Sequence, residues 1–230
     1  SDTSTATAHI TTDKDDNQIT AFFVGALAHA EKVSLKNITE PVSLVILSPN
    51  KKEATMQYAQ TCKIKKMPYV FDPGQQITTF SKDEIIPLVE SADYVIANDY
   101  EMKLIQNKTN MSTADMLAHN KAIIITFGAK GSAIVTKEKT YAIDPCPSTS
   151  VQDPTGAGDA YRGGFFTGIS QGFDYQTCGQ IGSVAATYAV EHYGTQNHRY
   201  SPKEFSERYR NTFDTPCPIK SATFEVGEKK

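Results

Sequence analysis

The chain has 230 residues, a formal net charge of −3 and 39% hydrophobic residues, enough apolar material for one sizeable core. Its charge is balanced, with no basic run beyond short pairs such as Lys51-Lys52 and Lys65-Lys66, which excludes the clustered Lys and Arg of a nucleic-acid face. No apolar run approaches the roughly 20 residues that span a bilayer, the start Ser1-Asp2-Thr3-Ser4 is too polar for a signal peptide, and Cys62, Cys146, Cys178 and Cys217 lack Cys-x-x-Cys spacing, which argues against zinc and fits reduced thiols in a cytoplasmic protein.

In chain order, Thr5 to Thr12 and Gln18 to Val24 read as a strand pair around the turn-rich tip Asp13-Lys14-Asp15-Asp16-Asn17. A short helical stretch spans Ala26 to Leu35. Ser43 to Leu47 is a continuous apolar run, as expected of a strand buried on both faces. Pro49-Asn50 ends it and a helix follows from Lys51 to Lys65. Tyr69-Val70-Phe71 is the next strand, closed by the turn Asp72-Pro73-Gly74. Ser81 to Glu90 is a helix with Ser81 as N-cap and Glu84 at capping-box spacing. Further strands are Tyr94 to Ile96 and Ala122 to Thr126, with helices over Asp99 to Gln106 and Thr113 to Asn120. Ala133 to Val135 and Thr140 to Ile143 form an antiparallel pair. Three helices close the chain, near Gly156–Gly172, Tyr175–His192 and Pro202–Asn211. The tail Glu228-Lys229-Lys230 reads as solvated.

Short apolar strands alternating with helices predict a parallel sheet with helices on both faces. Ligands of such sheets bind beyond the carboxyl ends of the strands. Asn98, Gly128 and the loop from Asp153 to Asp159 all follow strands or strand-derived loops, so they can share one rim.

The most informative stretch is Asp153-Pro154-Thr155-Gly156-Ala157-Gly158-Asp159-Ala160-Tyr161-Arg162-Gly163-Gly164-Phe165. A tight loop of Pro and small residues enters a helix, whose first N–H groups lack intrahelical partners and point one way. With the helix dipole they form an anion site. Asp159 stands in the first turn. Beside a phosphate under attack, a carboxylate there would take the proton of the attacking hydroxyl; the plainer reading is a helix start that happens to carry an Asp. Tyr161, Phe165 and Phe166 read as core. Arg162 reads as a solvated charge on the helix, and His192 and His198, which flank a Gly-containing turn, as solvated surface or at most the adenine edge. A dinucleotide fingerprint fails, because Gly156 and Gly158 are followed by Tyr161 late in the chain, and no Gly-Lys-Ser/Thr triplet exists for a P-loop.

The run resembles the signature of the ribokinase-like (PfkB) family of carbohydrate and nucleoside kinases, whose pattern is Asp-Thr-x-Gly-Ala-Gly-Asp with Phe or Tyr two residues on. Pro154 stands where Thr is common. Upstream, Asn98-Asp99-Tyr100-Glu101 matches the family's Asn-x-x-Glu, and Thr126-Phe127-Gly128-Ala129-Lys130-Gly131 its Thr-x-Gly-x-x-Gly. The three occur in family order, and the resemblance runs from about Thr5 to about Phe205.

The resemblance implies a three-layer α/β/α fold with a mostly parallel central sheet, the lid absent or incomplete. It implies one kinase domain over residues 1–230, N-terminally incomplete, because the family's first core strand, its lid strands and its sugar-holding Gly-Gly-x-x-x-Asn segment are not found. The implied reaction transfers a phosphoryl group from ATP to a hydroxymethyl group of a sugar or nucleoside, of adenosine, ribose or fructose type. Phe71-Asp72-Pro73-Gly74-Gln75 and Glu191-His192-Tyr193-Gly194-Thr195-Gln196 look most like the adenosine-kinase branch. In this frame Asp159 is the base and the N–H groups of Gly156, Ala157 and Gly158 face the transferred phosphoryl. Asn98 and Glu101 help hold Mg²⁺ through water; their local alternative is an N-cap with its capping-box partner. Thr126, Gly128 and Gly131 line the nucleotide, and Asp153 and Thr155 complete its loop. In some relatives the Asp153 position, with carbonyls such as those near Ala189 and Gly194, holds a monovalent cation. The partner is a small molecule, and the family allows a homodimer. The rivals are a non-catalytic nucleotide-binding module and a partial chain inactive without its missing segment.

Overall fold

The computed structural model describes residues 3–12 and 18–219. The tip Asp13–Asn17 and the tail Glu228–Lys230 lie outside the described residues. The chain divides into two compact units, Ser1–Ile125 with Val135–Lys139, and Thr126–Ile134 with Thr140–Lys230. The fold is α/β. Strands β3 (Val45–Leu47), β4 (Tyr69–Phe71), β5 (Tyr94–Asn98), β6 (Ala122–Thr126), β7 (Ser132–Val135) and β8 (Thr140–Ile143) form a mostly parallel sheet in that order, with helices on both sides. Strands β1 (Thr7–Thr12) and β2 (Gln18–Phe23) pair antiparallel in a separate two-stranded sheet, Thr7 opposite Phe23 and Thr12 opposite Gln18. Among the described residues no helix is long and apolar enough to cross a membrane.

In the first unit, β3 and β4 pair in parallel, as do β4 and β5. Tyr69, Val70 and Phe71 are all buried, as are Tyr94 to Ala97. This is why both strands are continuous apolar runs without alternation. Helices α1 (Lys52–Lys65), α2 (Lys82–Ser91), α3 (Asp99–Thr109) and α4 (Thr113–Leu117) close the core around Phe71, Ile85, Val95, Ile105 and Ile123. Ser81 caps α2 as its spacing predicts, with its own N–H donating to Glu84 Oε2 at 2.8 Å.

Two predicted helices are altered by tertiary hydrogen bonds. The helical stretch expected from Ala26 to Leu35 is a 3₁₀ segment, Gly25–Lys32, with a kink at His29. Lys51 Nζ binds the Ala28 carbonyl at 2.9 Å and the Tyr58 hydroxyl binds that of Ala30 at 2.7 Å, so distant donors take carbonyls that a regular helix would use. The helix expected to reach Asn120 stops at Leu117. The buried Asn120 amide instead donates to the Val89 and Ala92 carbonyls, each at 2.7 Å.

In the second unit, helices α6 (Tyr175–Val190) and α7 (Pro202–Phe213) pack around Ile181, Val184, Tyr188, Phe205 and Tyr209, and helix α5 (Ala157–Ser170) packs on α6. The backbones of α5 and α6 come close where side chains are small. A Cβ on Gly164 would lie 2.9 Å from Gly182 Cα, so this contact admits only glycine. Tyr161, Phe165 and Phe166 are buried, as read. Tyr161 also has a polar task, its hydroxyl lying 2.7 Å from Ser132 Oγ.

Candidate active site

The first unit carries Asn98 and Glu101. Asn98 ends β5 and is the N-cap of α3. Its Oδ1 accepts from Glu101 N at 2.8 Å, and Glu101 Oε2 accepts from Asn98 N at 3.0 Å. Both halves of the capping box are therefore present. Glu101 is buried at 7% exposure, so a carboxylate is held at the end of a central strand by its own helix start. Each side chain spends one oxygen on the cap.

The second unit carries the remaining predicted residues. Thr126 is the last residue of β6, and a 3₁₀ turn, Gly128–Lys130, joins it to β7. Phe127 N donates to the Gly131 carbonyl at 2.8 Å, which closes this turn. Gly131 has φ 87°, and a Cβ there would overlap the Ile143 carbonyl oxygen, so only glycine fits.

The Asp153–Asp159 loop is held at its base by Asp153. One carboxylate oxygen accepts from Thr155 N at 2.9 Å and the other from Gly194 N at 3.1 Å. Burial raises the carboxyl's pKa, but the bonds from Thr155 and Gly194 outweigh it and hold the group below the usual carboxylate range. Gly156 is the N-cap of α5, with φ 91° and no side-chain cap. A Cβ on Gly156 would meet Thr195 backbone and side-chain atoms at 3.1 Å. Thr195 is thus the wall behind the loop, which the sequence did not reveal. Ala157 N lies 3.3 Å from the Pro154 carbonyl, so one of the three expected phosphoryl donors turns partly inward. Regular helical bonding begins at Ala160, whose N–H donates to the Gly156 carbonyl at 2.9 Å. Gly158 lies inside the helix with no positive φ. Its lack of a side chain matters for space, since a Cβ would sit 2.7 Å from Arg162 Nη1.

Asp159 is in the first turn of α5, with its side chain 82% exposed. The reading of Arg162 as a solvated charge needs correction. Its side chain is only 18% exposed, and Nη1 lies 3.4 Å from Asp159 Oδ1. The three-residue spacing on one helix face was the available signal. The two histidines are half-buried and partnered. His192 Nδ1 lies 2.8 Å from the Tyr188 carbonyl, and His198 stacks on Tyr200 with its pKa lowered, first by burial and then by His192 and Arg199. The structure thus joins Asn98 with Glu101, Asp153 with Thr155 and Gly194, Gly156 with Thr195, and Asp159 with Arg162.

A helix that starts on bare glycine, with an Asp in its first turn and an Asn-x-x-Glu cap on another strand end, is the arrangement the family motifs imply. The model for the "pfkB family carbohydrate kinase" matches residues 1–202. The chain belongs to this family. Among relatives, a nucleoside kinase of Methanocaldococcus jannaschii is 37% identical over 197 residues, covering 84% of this chain and 63% of that protein. A nucleoside kinase of Methanothermobacter thermautotrophicus is 30% identical over 225 residues, covering 95% of this chain and 71% of that protein. Among solved structures, the Burkholderia thailandensis nucleoside kinase in complex with inosine superimposes with a TM-score of 0.91 at 34% identity, over 94% of this chain and 72% of that one. The chain thus spans 63% of the length of the Methanocaldococcus relative.

Proposed function

We propose that this chain belongs to a kinase that transfers the terminal phosphoryl group of ATP to the hydroxymethyl group of a nucleoside. The observation that carries the reading is the start of α5, where a left-handed glycine cap without a side-chain cap sits three residues before an exposed aspartate. The relatives named nucleoside kinases favour a nucleoside over a free sugar.

In this reading the first N–H groups of α5 and the helix dipole receive the transferred phosphoryl. Asp159 accepts the proton of the attacking hydroxyl. Arg162, whose Nη1 lies 3.4 Å from Asp159 Oδ1, orients that carboxylate. Thr126, Gly128 and Gly131 border the nucleotide. Asn98 and Glu101 offer the oxygen donors that suit Mg²⁺, and because each already spends an oxygen on the cap, contact through water fits them best. When bound, the ion neutralises phosphate charge. A monovalent cation near Asp153 fits less well. It would share both carboxylate oxygens, and the Ala189 carbonyl, with N–H donors, and no step here needs it. A homodimer belongs to the same reading, supported by the exposed Ile19, Phe22 and Phe23 of β2.

The test is phosphoryl transfer from labelled ATP in Mg²⁺ to inosine, adenosine, cytidine, ribose and fructose. Labelled nucleoside monophosphate is expected. Saturable ATP binding with no transfer to any acceptor would replace this reading with that of a nucleotide-binding module.

A further inference from the structure

The segment from Asp144 to Gly156 has no regular secondary structure, yet it must hold the start of α5 in place. Its bonds run mostly to α6 and the turn after it: Cys146 N donates to Ser183 Oγ, and the Cys146 carbonyl accepts from Thr187 Oγ1. Gln152 N and Asp153 N both point at the Val190 carbonyl, at 2.8 and 3.3 Å. Asp153 Oδ2 accepts from Gly194 N. Upstream, Glu191 Oε1 accepts from Thr149 N at 2.7 Å and Thr149 Oγ1 at 3.1 Å.

Glu191 is an unexpected residue for its position. It is the C-cap of α6, where the carbonyl end of the helix dipole disfavours a negative charge. Its side chain is only 8% exposed. A carboxylate persists there only if it is well paired. Arg208, from α7, supplies the pair as a fork, with Nη1 to Oε2 at 2.8 Å and Nη2 to Oε1 at 3.1 Å. The guanidinium is itself seated 4.2 Å over the Tyr188 ring. Burial raises the Glu191 pKa, and the bonds from Arg208 and Thr149 outweigh it and keep the group ionised. The remaining acceptor capacity of this locked carboxylate goes to Thr149 alone.

We propose that Glu191, locked by Arg208, is a positioning residue that clamps Thr149 and so fixes the loop carrying Gly156 and Asp159 for phosphoryl transfer. The proposal rests on the kinase reading for its effect on rate but not for its effect on the loop. A shift of about 1 Å at a reacting group can cost about 100-fold in rate, and the Thr149 clamp adds to the hold that Asp153 has on the loop through Thr155 and Gly194.

The test substitutes Glu191→Gln, which keeps the shape and one acceptor but loses the charged fork. Hydrogen exchange of the amides of Gln152, Asp153 and Thr155 should become at least about tenfold faster, as loss of a bond worth about 1.4 kcal/mol implies. Inner amides of α5 and α6 should be unchanged. With ATP and inosine, kcat should fall by about 10- to 100-fold while the KM for ATP moves little. Wild-type protein without turnover would count against the kinase reading, and exchange alone would then judge the clamp. Should Glu191→Gln loosen all of α6, the exposed Thr149→Val decides, since it removes only the hydroxyl bond; severalfold faster exchange at Gln152 and Asp153 supports the clamp. Loop exchange equal to wild type in an intact variant overturns it.

Discussion

The helix starts of α3 and α5 solve the same problem in opposite ways. Each leaves backbone N–H groups without intrahelical partners. At α3, Asn98 and Glu101 satisfy them reciprocally, and α2, α4 and α7 follow suit with Ser81 and Glu84, Ser112 and Asp115, and Ser201 and Glu204. At α5 the cap is Gly156, and no side chain answers. What would have been a local cap is replaced by distant support from Gly194, Thr195 and Glu191. A self-capped start is stable but closed to a ligand. A glycine start supported from behind leaves its donors available.

The sharpest way to test that contrast is Asp159→Asn. Asn is nearly the same size and cannot accept the hydroxyl proton at neutral pH. In protein that turns over, kcat should drop by about 10²–10⁴, with little change in the KM for ATP. Turnover close to wild type would reduce Asp159 to an ordinary first-turn acid, like Glu101 or Glu84.

Next is Gly156→Ala, which puts a Cβ on a residue at φ 91° and presses it on Thr195. Such a backbone position costs a non-glycine residue about 1–3 kcal/mol. Urea unfolding should show a loss of that size, and ATP affinity should fall with it. An Ala variant as stable as wild type would mean the loop does not need its left-handed cap.

At the other start, Asn98→Ala removes an N-cap and should cost about 0.5–2 kcal/mol in the same measurement. If the residue also serves the nucleotide, the Mg²⁺ concentration needed for half-maximal ATP binding should rise. An unchanged Mg²⁺ dependence would make it a cap only.

The smallest effect is expected at α2. The N–H of Ser81, then Lys52, hold the Glu84 carboxyl down to about 2. A carboxyl depressed in the folded state stabilises the protein above its unfolded pKa and loses that contribution as pH falls through the folded value. The stability of wild type should therefore decline between about pH 4.3 and pH 2. Glu84→Gln should flatten that limb slightly, as thermal unfolding across pH would read. An unchanged limb would mean the exposed capping box carries no net charge interaction.

Much of this molecule was legible before any coordinates. Continuous apolar runs located β3 to β6; β4 and β5 are buried on both faces and need no alternation, whereas β3, expected to be buried likewise, leaves Ile46 exposed. Capping-box spacing located the starts of α2 and α3, because an N-cap bonds only within one turn. Two glycine-bearing motifs and an Asn-x-x-Glu motif, in order, named the family, because backbone approach to phosphate tolerates few side chains. All of these depend on residues within a few positions of one another. What the tertiary structure alone decided depends on groups far apart in sequence. Lys51 and Tyr58 turn a predicted helix into a 3₁₀ segment by taking carbonyls more than 20 residues away. Gly194, Thr195 and Glu191 support a loop some 40 residues earlier in the chain. Hydrogen bonds across such distances leave no periodicity or spacing to read, because the folded backbone, not the local sequence, brings donor to acceptor.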